Sequence, residues 1–488
     1  MLEVLPSARW NFSSAAHLLN RAGFGGTPSE IESLAALSVG EAVDRLVDFT
    51  PGPADVPDAT WSRFDPEHVG YFRRMKAATP EERQQMAKDY RRRTVRETVA
   101  MQHWWLERMV HTATPFQEKL TLFWHGHFAT SMVKVKEPYL MWRQQTLFRR
   151  HGRGSWRALL GEIARDPAML VWLDQAQSRA SHPNENFARE LMELFALGEG
   201  NYTEKDVTEA ARALTGLSVD RATWEPMYRP LMHDRGEKTV LHKTGRLSAD
   251  DVLDLIASSK QSARFITARL WRFFAGGLPS EELQAALADA FERQGREFRS
   301  FLRTVFRSSE FYDSSIVRKQ IKSPVQLLVT ACRQLERPLP PAPLPSNALR
   351  LLGQELFLPP NVKGWDGGAA WINTNTLLTR DNLALLLVEG QNVLPISAAR
   401  PAVKNTMEKM VQHLITEPAD LTKILTESDR ATPEAIVNAI ERRFLQHSLT
   451  PRSAKTIADF LRSRGKWDEA SLLGAVRLAM CTPEYQLV

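Results

Sequence analysis

The 488-residue chain lacks most of the features that mark common classes of protein. Its two cysteines, Cys332 and Cys481, are too few and too far apart for a disulfide framework or a zinc site. No apolar run approaches the ~20 residues that a membrane-spanning helix requires. The opening residues, MLEVLPSARWNF, do not place a basic segment before an apolar one, so they do not resemble a secretory signal. We therefore expect a soluble protein without a membrane span, cytoplasmic by default, with the periplasm as the alternative.

Several familiar catalytic and nucleotide-binding motifs are also missing. The glycine-rich stretch at 23–26 lacks the lysine and the serine or threonine of a phosphate-binding loop, and no Gly-x-Ser-x-Gly elbow occurs. The net charge of +6 is a mild excess for a chain of this length. It favours anionic ligands without indicating nucleic acid.

The pattern of apolar residues favours helices throughout. A hydrophobic content of 43% and a charged content of 25% are typical of a globular protein, and no convincing set of alternating strands is present. We predict an all-α, multi-helical fold with irregular loops and at most a minor hairpin. The proline-rich segment ERPLPPAPLPS at 336–346 predicts a linker between a helical region at 1–335 and a second one at 347–488.

The densest group of polar residues lies between Ser181 and Asp220. An apolar stripe at helical spacing is formed by Phe187, Leu191, Leu194 and Phe195. On the opposite face, Asn186, Glu190 and Glu193 are neighbours, and Arg189 is spaced to pair with Glu193. A solvated face on an amphipathic helix is the simpler explanation of this pattern.

The boundaries of two helices can be predicted in the same segment. Gly198 and Gly200 are typical of a helix C-terminus. Thr203 followed by Asp206 forms a capping box that predicts a second helix through Leu214.

Long motifs identify the chain as similar to a known family. The segment NENFARELMELFALGEGNYTEKDVTEAARALTG resembles the signature of a large bacterial family called domain of unknown function 1800. The stretches FWHGHFATS at 123–131, HDRGEKTVL at 233–241 and LGQELFLPPNVKGWDGG at 352–368 resemble the same family in the same order. Gly126 and Leu217 depart from the family pattern, which has an asparagine and an aromatic residue there. The resemblance implies no reaction, although members are often encoded beside a sulfatase-like family, which implies a companion protein.

Two histidines raise the question of a metal. His125 and His127 could ligate one ion in extended backbone, with Glu190 or Glu193 and His233 completing the set. In a helix, however, residues two apart diverge by about 200°. We therefore predict no cofactor, with a divalent metal at His125 and His127 as the open alternative.

The carboxylates suggest a reaction without a metal. Glycoside hydrolysis uses one carboxylic acid and one carboxylate, and Glu190 with Asp234 is a more reasonable pair than Glu190 with Glu193. The candidate catalytic residues are Glu190, Glu193, His233, Asp234 and His125. The candidate substrate-binding residues are Asn186, Arg189, Arg212, Lys238, Lys363 and Trp365, since arginine in particular suits anionic groups.

Two functions follow from these residues. The first is a hydrolase or lyase that acts on an anionic glycan or a similar polymer through Glu, His and Asp side chains. The second is a non-catalytic binding or maturation partner of the sulfatase-like protein that the resemblance implies.

Overall fold

The computed structural model describes residues 2–49, 57–395, 416–465 and 467–488, and α-helices make up most of them. The helices before residue 200 are α1 (Phe12–Ala22), α2 (Pro28–Ala35), α3 (Val39–Val47), α4 (His68–Ala77), α5 (Pro80–His111), α6 (Pro115–His127), α7 (Met132–Val135), α8 (Pro138–His151), α9 (Trp156–Ile163), α10 (Pro167–Trp172) and α11 (Glu185–Glu190). Those that follow are α12 (Glu204–Leu214), α13 (Ala249–Ser258), α14 (Lys260–Ala275), α15 (Glu281–Arg293), α16 (Phe298–Arg307), α17 (Pro324–Gln334), α18 (Leu344–Leu351), α19 (Thr374–Glu389), α20 (Leu421–Ile424), α21 (Pro433–Ile440), α22 (Pro451–Arg464) and α23 (Glu469–Met480).

The prediction of an all-α, multi-helical fold is confirmed. The strands are short and lie between α12 and α13, where they form two antiparallel hairpins: β1 (Leu217–Val219) with β2 (Pro226–Tyr228), and β3 (Lys238–Val240) with β4 (Lys243–Gly245). We call residues 215–248, which contain both hairpins, the insert. None of the helices in the described ranges is both long and apolar enough to cross a lipid bilayer.

The helices enclose two hydrophobic cores. The first is built from residues between Leu5 and Tyr312, and the second draws on α5, α17 to α19 and the C-terminal helices. Helix α6 lies between them, because its Phe123 and Trp124 pack in the first core and its Leu122 in the second. The histidines of the His-x-His motif therefore stand where the two cores meet.

The domain boundary predicted at 336–346 stays a prediction. Helix α17 before this segment and helices α18 and α19 after it contribute to the same second core. Leu339 and Leu344, within the segment, are themselves buried in that core. The chain on the two sides of the segment is thus joined by shared apolar packing.

A buried ion cluster fixes α6 against its neighbours. Glu118 of α6 is fully buried and accepts hydrogen bonds from Trp105 Nε1 at 2.8 Å and Arg108 Nε at 2.5 Å. Arg149 of α8 donates to the same carboxylate through Nε at 3.1 Å and Nη2 at 2.9 Å. One carboxylate therefore holds α5, α6 and α8 together.

Candidate functional site

Helices α11 and α12 form an antiparallel pair at the centre of the motif region. The Asn184 side chain caps α11 by accepting from the backbone N–H groups of Asn186 and Phe187. Residues Leu191–Ala196 continue α11 as a π-helical turn, and the predicted capping box of Thr203 and Asp206 opens α12. Such π-helical turns often occur at functional sites.

The ion pair expected between Arg189 and Glu193 is not formed. Arg189 instead donates two hydrogen bonds to Glu204 of α12, at 2.6 and 2.7 Å. Glu193 accepts a hydrogen bond from the Tyr202 hydroxyl at 2.7 Å. Arg189, a predicted substrate-binding residue, thus holds the two helices together across their interface.

This pairing sets how far apart the predicted site residues lie. Glu185 pairs with Thr208 near one end of the helix pair, and Arg189 pairs with Glu204 nearer the other. Glu190 follows Arg189 and so lies near the end of the pair marked by Glu204. Arg212 follows Thr208 on α12 and so lies near the other end. At about 1.5 Å per residue, Glu190 and Arg212 are about 13 Å apart along the helix axes. The predicted site residues therefore form two groups at opposite ends of the pair.

The two histidines of α6 are buried in different surroundings. His125 Nε2 accepts the backbone N–H of Phe357 at 3.0 Å, whereas His127 Nε2 lies 2.9 Å from the Phe195 carbonyl oxygen. The pKa of each imidazole is lowered to about 3, mainly by burial. The charge of Arg149 adds to this effect at His125, and the charge of Arg269 adds to it at His127. Both rings are therefore neutral near pH 7, and each holds a neighbouring segment by its hydrogen bond.

Gly126, between these histidines, contacts the loop that carries Lys363 and Trp365. Gly364 has a φ of +81°, and a Cβ there would overlap the Gly126 carbonyl oxygen and lie 3.3 Å from the Gly126 carbonyl carbon. The Trp365 ring packs 5.5 Å from the His125 ring, measured between centroids. Trp365 thus belongs to the packing between α6 and this loop.

The first group of predicted site residues surrounds Glu190. Glu190 is half-buried, and burial together with the nearby Glu193 carboxylate raises its pKa. The ammonium of Lys363, which is exposed, and the Arg189 guanidinium oppose this shift. Asn186, on an earlier turn of α11, is exposed. Glu190, Glu193 and Lys363 thus lie near one another.

The second group is an ion cluster between α12 and the insert. Arg212 Nε and Nη2 donate to Asp234 at 2.8 and 3.2 Å, and Arg212 Nη1 donates to Glu209 at 2.9 Å. Lys238 is buried and donates to the backbone oxygens of Asp234 at 2.5 Å and Gly236 at 2.9 Å. The Arg212 hydrogen bond, more than any other contact, keeps the pKa of Asp234 below its ordinary value. Arg212 and Lys238 already donate hydrogen bonds to neighbouring protein groups, and Asp234 is held ionised. This cluster therefore suits a structural role better than proton transfer.

A substitution at Asp234 tests that role. We expect Asp234→Asn to lower the free energy of unfolding by about 2–3 kcal/mol, because it removes the negative charge that Arg212 and Lys238 share and leaves Glu209 as the remaining carboxylate partner of Arg212. The measurement is urea unfolding followed by circular dichroism. Glu237→Gln is the control, since Glu237 is exposed in the same insert, and it should change stability by less than about 0.5 kcal/mol. Equal stabilities of the two variants would contradict the structural role.

His233 differs from the other predicted catalytic residues. It is half-buried, and its Nδ1 lies 3.0 Å from the Thr215 carbonyl oxygen. A carbonyl only accepts hydrogen bonds, so Nδ1 carries the ring proton and Nε2 keeps a lone pair. No residue in the described part of the chain forms a hydrogen bond with that Nε2. His233 is thus oriented by the backbone and has a free basic nitrogen.

A pocket of about 750 Å³ is lined by Gly216 and by Met232, the residue before His233. One wall is the segment 176–182, and the other is formed by β1, the following turn and residues 229–232. The two walls are joined by hydrogen bonds from Ala180 N to Met232 O at 2.8 Å and from Ser218 Oγ to Ala176 O at 3.0 Å. We call this space the insert pocket.

The insert pocket is lined by cationic side chains. Arg179, Arg221 and Arg229 line it, and none of these guanidinium groups forms an ion pair with any residue that the structure describes. His182 is a further lining residue, and Asp220 is the carboxylate among them. Because the lining residues carry three positive charges and one negative charge, the pocket favours an anionic ligand.

The sequence analysis missed these arginines. Arg221 and Arg229 lie in a stretch without periodic apolar residues, and Arg179 precedes the motif segment by two residues. The usable signal was that Arg221 and Arg229 lie outside any predicted helix. Glu225, four positions from each, is therefore not placed to pair with them as Glu193 was expected to pair with Arg189. Proximity in space could not be read from the sequence, since Arg179 is 50 positions from Arg229.

A metal site does not emerge from the described residues. Within the ranges that the structure covers, no three histidine, cysteine, aspartate or glutamate side chains are grouped so as to hold an ion. His125 and His127 face different neighbours, as their helical spacing implies. Each ring instead forms a hydrogen bond through Nε2 to a backbone group and so holds a neighbouring segment in place.

Comparison with known proteins gives one match. The model of a family described as "Protein of unknown function (DUF1800)" matches residues 17–487. No curated protein and no solved structure matches the chain.

Proposed function

Because the chain belongs to the DUF1800 family, whose description names no activity, we propose a function from its own residues: it binds an anionic glycan or similar polymer and acts on it as a hydrolase or lyase. The insert pocket, with Arg179, Arg221 and Arg229 around it, is the binding site in this proposal. His233, which follows the lining residue Met232, is the group that transfers a proton in this proposal.

The observation that carries the proposal is the set of three guanidinium groups without carboxylate partners. About half of the other described arginines have such a partner, for example Arg189 with Glu204 and Arg212 with Asp234. Guanidinium groups bind carboxylate and sulfate through paired hydrogen bonds, which suits repeated anionic groups along a polymer. Arginines that converge on a pocket without an internal partner therefore favour an external anion.

The size of the pocket supports a ligand larger than a single ion. Its volume of about 750 Å³ lies within the range of small-molecule sites, which is roughly 300–1,000 Å³. The exposed side chain of Met232 lines it, and the exposed Leu231 precedes Met232 in sequence, so an apolar surface lies beside the arginines. A sugar unit has both an anionic substituent and less polar ring faces, so it can use both surfaces.

Removing the three arginines tests the binding function. We expect Arg179→Ala, Arg221→Ala and Arg229→Ala together to weaken binding of polygalacturonate and heparin by roughly 100-fold or more, because each charged hydrogen bond contributes about 1 kcal/mol or more at an exposed site. Isothermal titration calorimetry at low ionic strength measures the affinity. Raising the salt concentration should weaken binding by the wild type, because exposed charges are screened.

Arg235→Ala is the matched control for this experiment. Arg235 is exposed, lies in the same insert and forms no ion pair with a described residue, but it does not line the pocket. It should bind both polymers as the wild type does, and neutral dextran should bind to neither protein. Equal losses in the control and the triple variant would mean that net charge, rather than the pocket, is responsible.

A further inference from the structure

We propose that the substrate is a polysaccharide containing uronic acid and that the insert pocket cleaves it by β-elimination, with His233 as the base and Tyr228 as the acid. This inference rests on the proposed function, since it requires that the pocket bind an anionic polymer. It names the reaction, the substrate class and a residue, Tyr228, that the sequence analysis did not select.

His233 has the geometry that a base requires. Its Nδ1–H donates to the Thr215 carbonyl oxygen at 3.0 Å, so the lone pair of Nε2 is available for a proton. Thr215 is itself fixed, because its hydroxyl donates to Arg212 O at 2.6 Å and accepts from the backbone N–H of Asp234 at 2.8 Å. Histidine is the side chain that most often transfers protons in enzymes, and a fixed tautomer makes the basic nitrogen unambiguous.

Tyr228 and His233 can lie close together because Gly216, which packs against both, has no side chain. Gly216 has a φ of +92°, and a Cβ there would lie 2.9 Å from Tyr228 Cε2 and 3.4 Å from His233 Cβ. The two rings are therefore close, with centroids 5.9 Å apart. Gly216 lines the pocket, as do Arg229 and Met232, which follow Tyr228 and precede His233. A proton donor and a proton acceptor thus stand together against Gly216, next in sequence to the lining residues Arg229 and Met232.

Elimination uses these groups without any further reactant. In a uronate unit joined through O4, His233 Nε2 removes the proton from C5, which is adjacent to the carboxylate. The C5–H electron pair becomes the second bond between C4 and C5 as the bond from C4 to the glycosidic oxygen breaks. That oxygen leaves with a proton from the Tyr228 hydroxyl. The products are a 4,5-unsaturated uronate and a new reducing end, and solvent returns one proton to Tyr228 and takes one from His233.

The arginines explain why a carboxylate is required. Removal of the C5 proton places negative charge on the carboxylate oxygens, and guanidinium groups fixed beside them stabilise that charge. C5 of a neutral sugar lacks this stabilisation, so the same pocket would not activate it. The pocket chemistry therefore selects carboxylated sugars among anionic glycans.

Hydrolysis fits the same residues less well. It needs a protonated carboxylic acid and a second carboxylate on opposite sides of the glycosidic bond. Asp234, the carboxylate nearest His233 in sequence, is ion-paired with Arg212, and Glu190 lies at the other end of the helix pair. Asp220 is the one carboxylate among the residues that line the pocket, so the second carboxylate that hydrolysis needs is not provided there.

Two conservative variants test the proposal against a panel of uronate polymers. The panel contains polygalacturonate, alginate, hyaluronan, chondroitin sulfate and heparin, and the readouts are ultraviolet absorbance of the unsaturated product and a reducing-end assay. His233→Asn keeps a donor for the Thr215 carbonyl and removes the Nε2 lone pair, whereas Tyr228→Phe keeps the ring over Gly216 and removes the hydroxyl. Each should lower kcat on the responsive polymer by roughly 100-fold or more. Polymer binding, measured by calorimetry, should stay within about threefold of the wild type.

His242→Asn is the control, because His242 is exposed at the turn of the second hairpin and Asn tolerates its φ of +68°. It should leave kcat unchanged. Binding without an unsaturated product on any polymer would overturn elimination but keep the proposed binding function. New reducing ends without unsaturation would replace elimination by hydrolysis. Loss of arginine-dependent binding in the wild type would overturn the proposed function itself.

Discussion

Replacing Glu118 with glutamine is expected to lower the free energy of unfolding by about 3–5 kcal/mol. The substitution preserves the size of the side chain but removes the charge that Arg149 and Arg108 share in the interior. The two guanidinium groups, which are largely shielded from solvent, would lose the carboxylate that they share. Urea unfolding followed by tryptophan fluorescence measures the change, since Trp105 donates to the same carboxylate.

The same carboxylate predicts a pH dependence. Burial alone would raise the pKa of Glu118, but the charges and hydrogen bonds of Arg149 and Arg108 outweigh it and hold the pKa below the ordinary value of 4.5. Since the folded pKa is lower than the unfolded one, the contribution to stability is complete above pH 4.5 and is lost as the pH falls through the folded pKa. The wild type should therefore lose stability on acidification more steeply than Glu118→Gln.

Glu162→Gln is the control for this prediction. Glu162 lies on α9 and is exposed, so its substitution should change stability by less than about 0.5 kcal/mol at any pH. If Glu118→Gln proved as stable as this control, the buried cluster would not hold α5, α6 and α8 together.

Gly364→Ala should destabilise the protein by about 2–5 kcal/mol. The added Cβ would overlap the backbone oxygen of Gly126, which cannot move away as a flexible side chain could. Overpacking costs about 1–3 kcal/mol, and the positive φ of residue 364 adds about 1–2 kcal/mol for alanine. Thermal unfolding measures the loss, and near-ultraviolet circular dichroism should report displacement of Trp365 from His125.

Gly368→Ala separates the two causes. Gly368 lies in the same loop with a φ of +56°, but nothing surrounds the position where its Cβ would stand. It should therefore cost only the backbone strain, about 1–2 kcal/mol. Equal effects at the two glycines would mean that the contact with Gly126 is unimportant.

Helix positions could be predicted from the sequence where local signals were strong. The capping box of Thr203 and Asp206 marked the start of α12 correctly. The two hairpins of the insert could not be placed, because strands of three residues contain too few positions for an alternating pattern to stand out. Their pairing depends on contacts with α12 and the segment 176–182 instead.

The candidate site was harder to predict because an ionic partner distant in sequence decides what a charged residue does. Arg189 and Arg212 were selected as ligand-binding groups, yet Glu204 and Asp234 occupy them. Arg179, Arg221 and Arg229 were not selected, although the fold leaves them without such partners. Glu190 and Lys363 were selected and do lie near each other, because long motifs identified both of their segments.

The exposed part of the insert also affects how the protein can change during evolution. The tip of its first hairpin, with Arg221, Ala222 and Thr223, is exposed and contributes no residue to either core. It is anchored from outside, where Arg143 holds Glu225 and the Trp224 carbonyl oxygen. Loops of this kind accept changes in length and charge at little cost to folding. Ligand preference can therefore evolve through a few surface positions, while the helical scaffold that supports them stays constant.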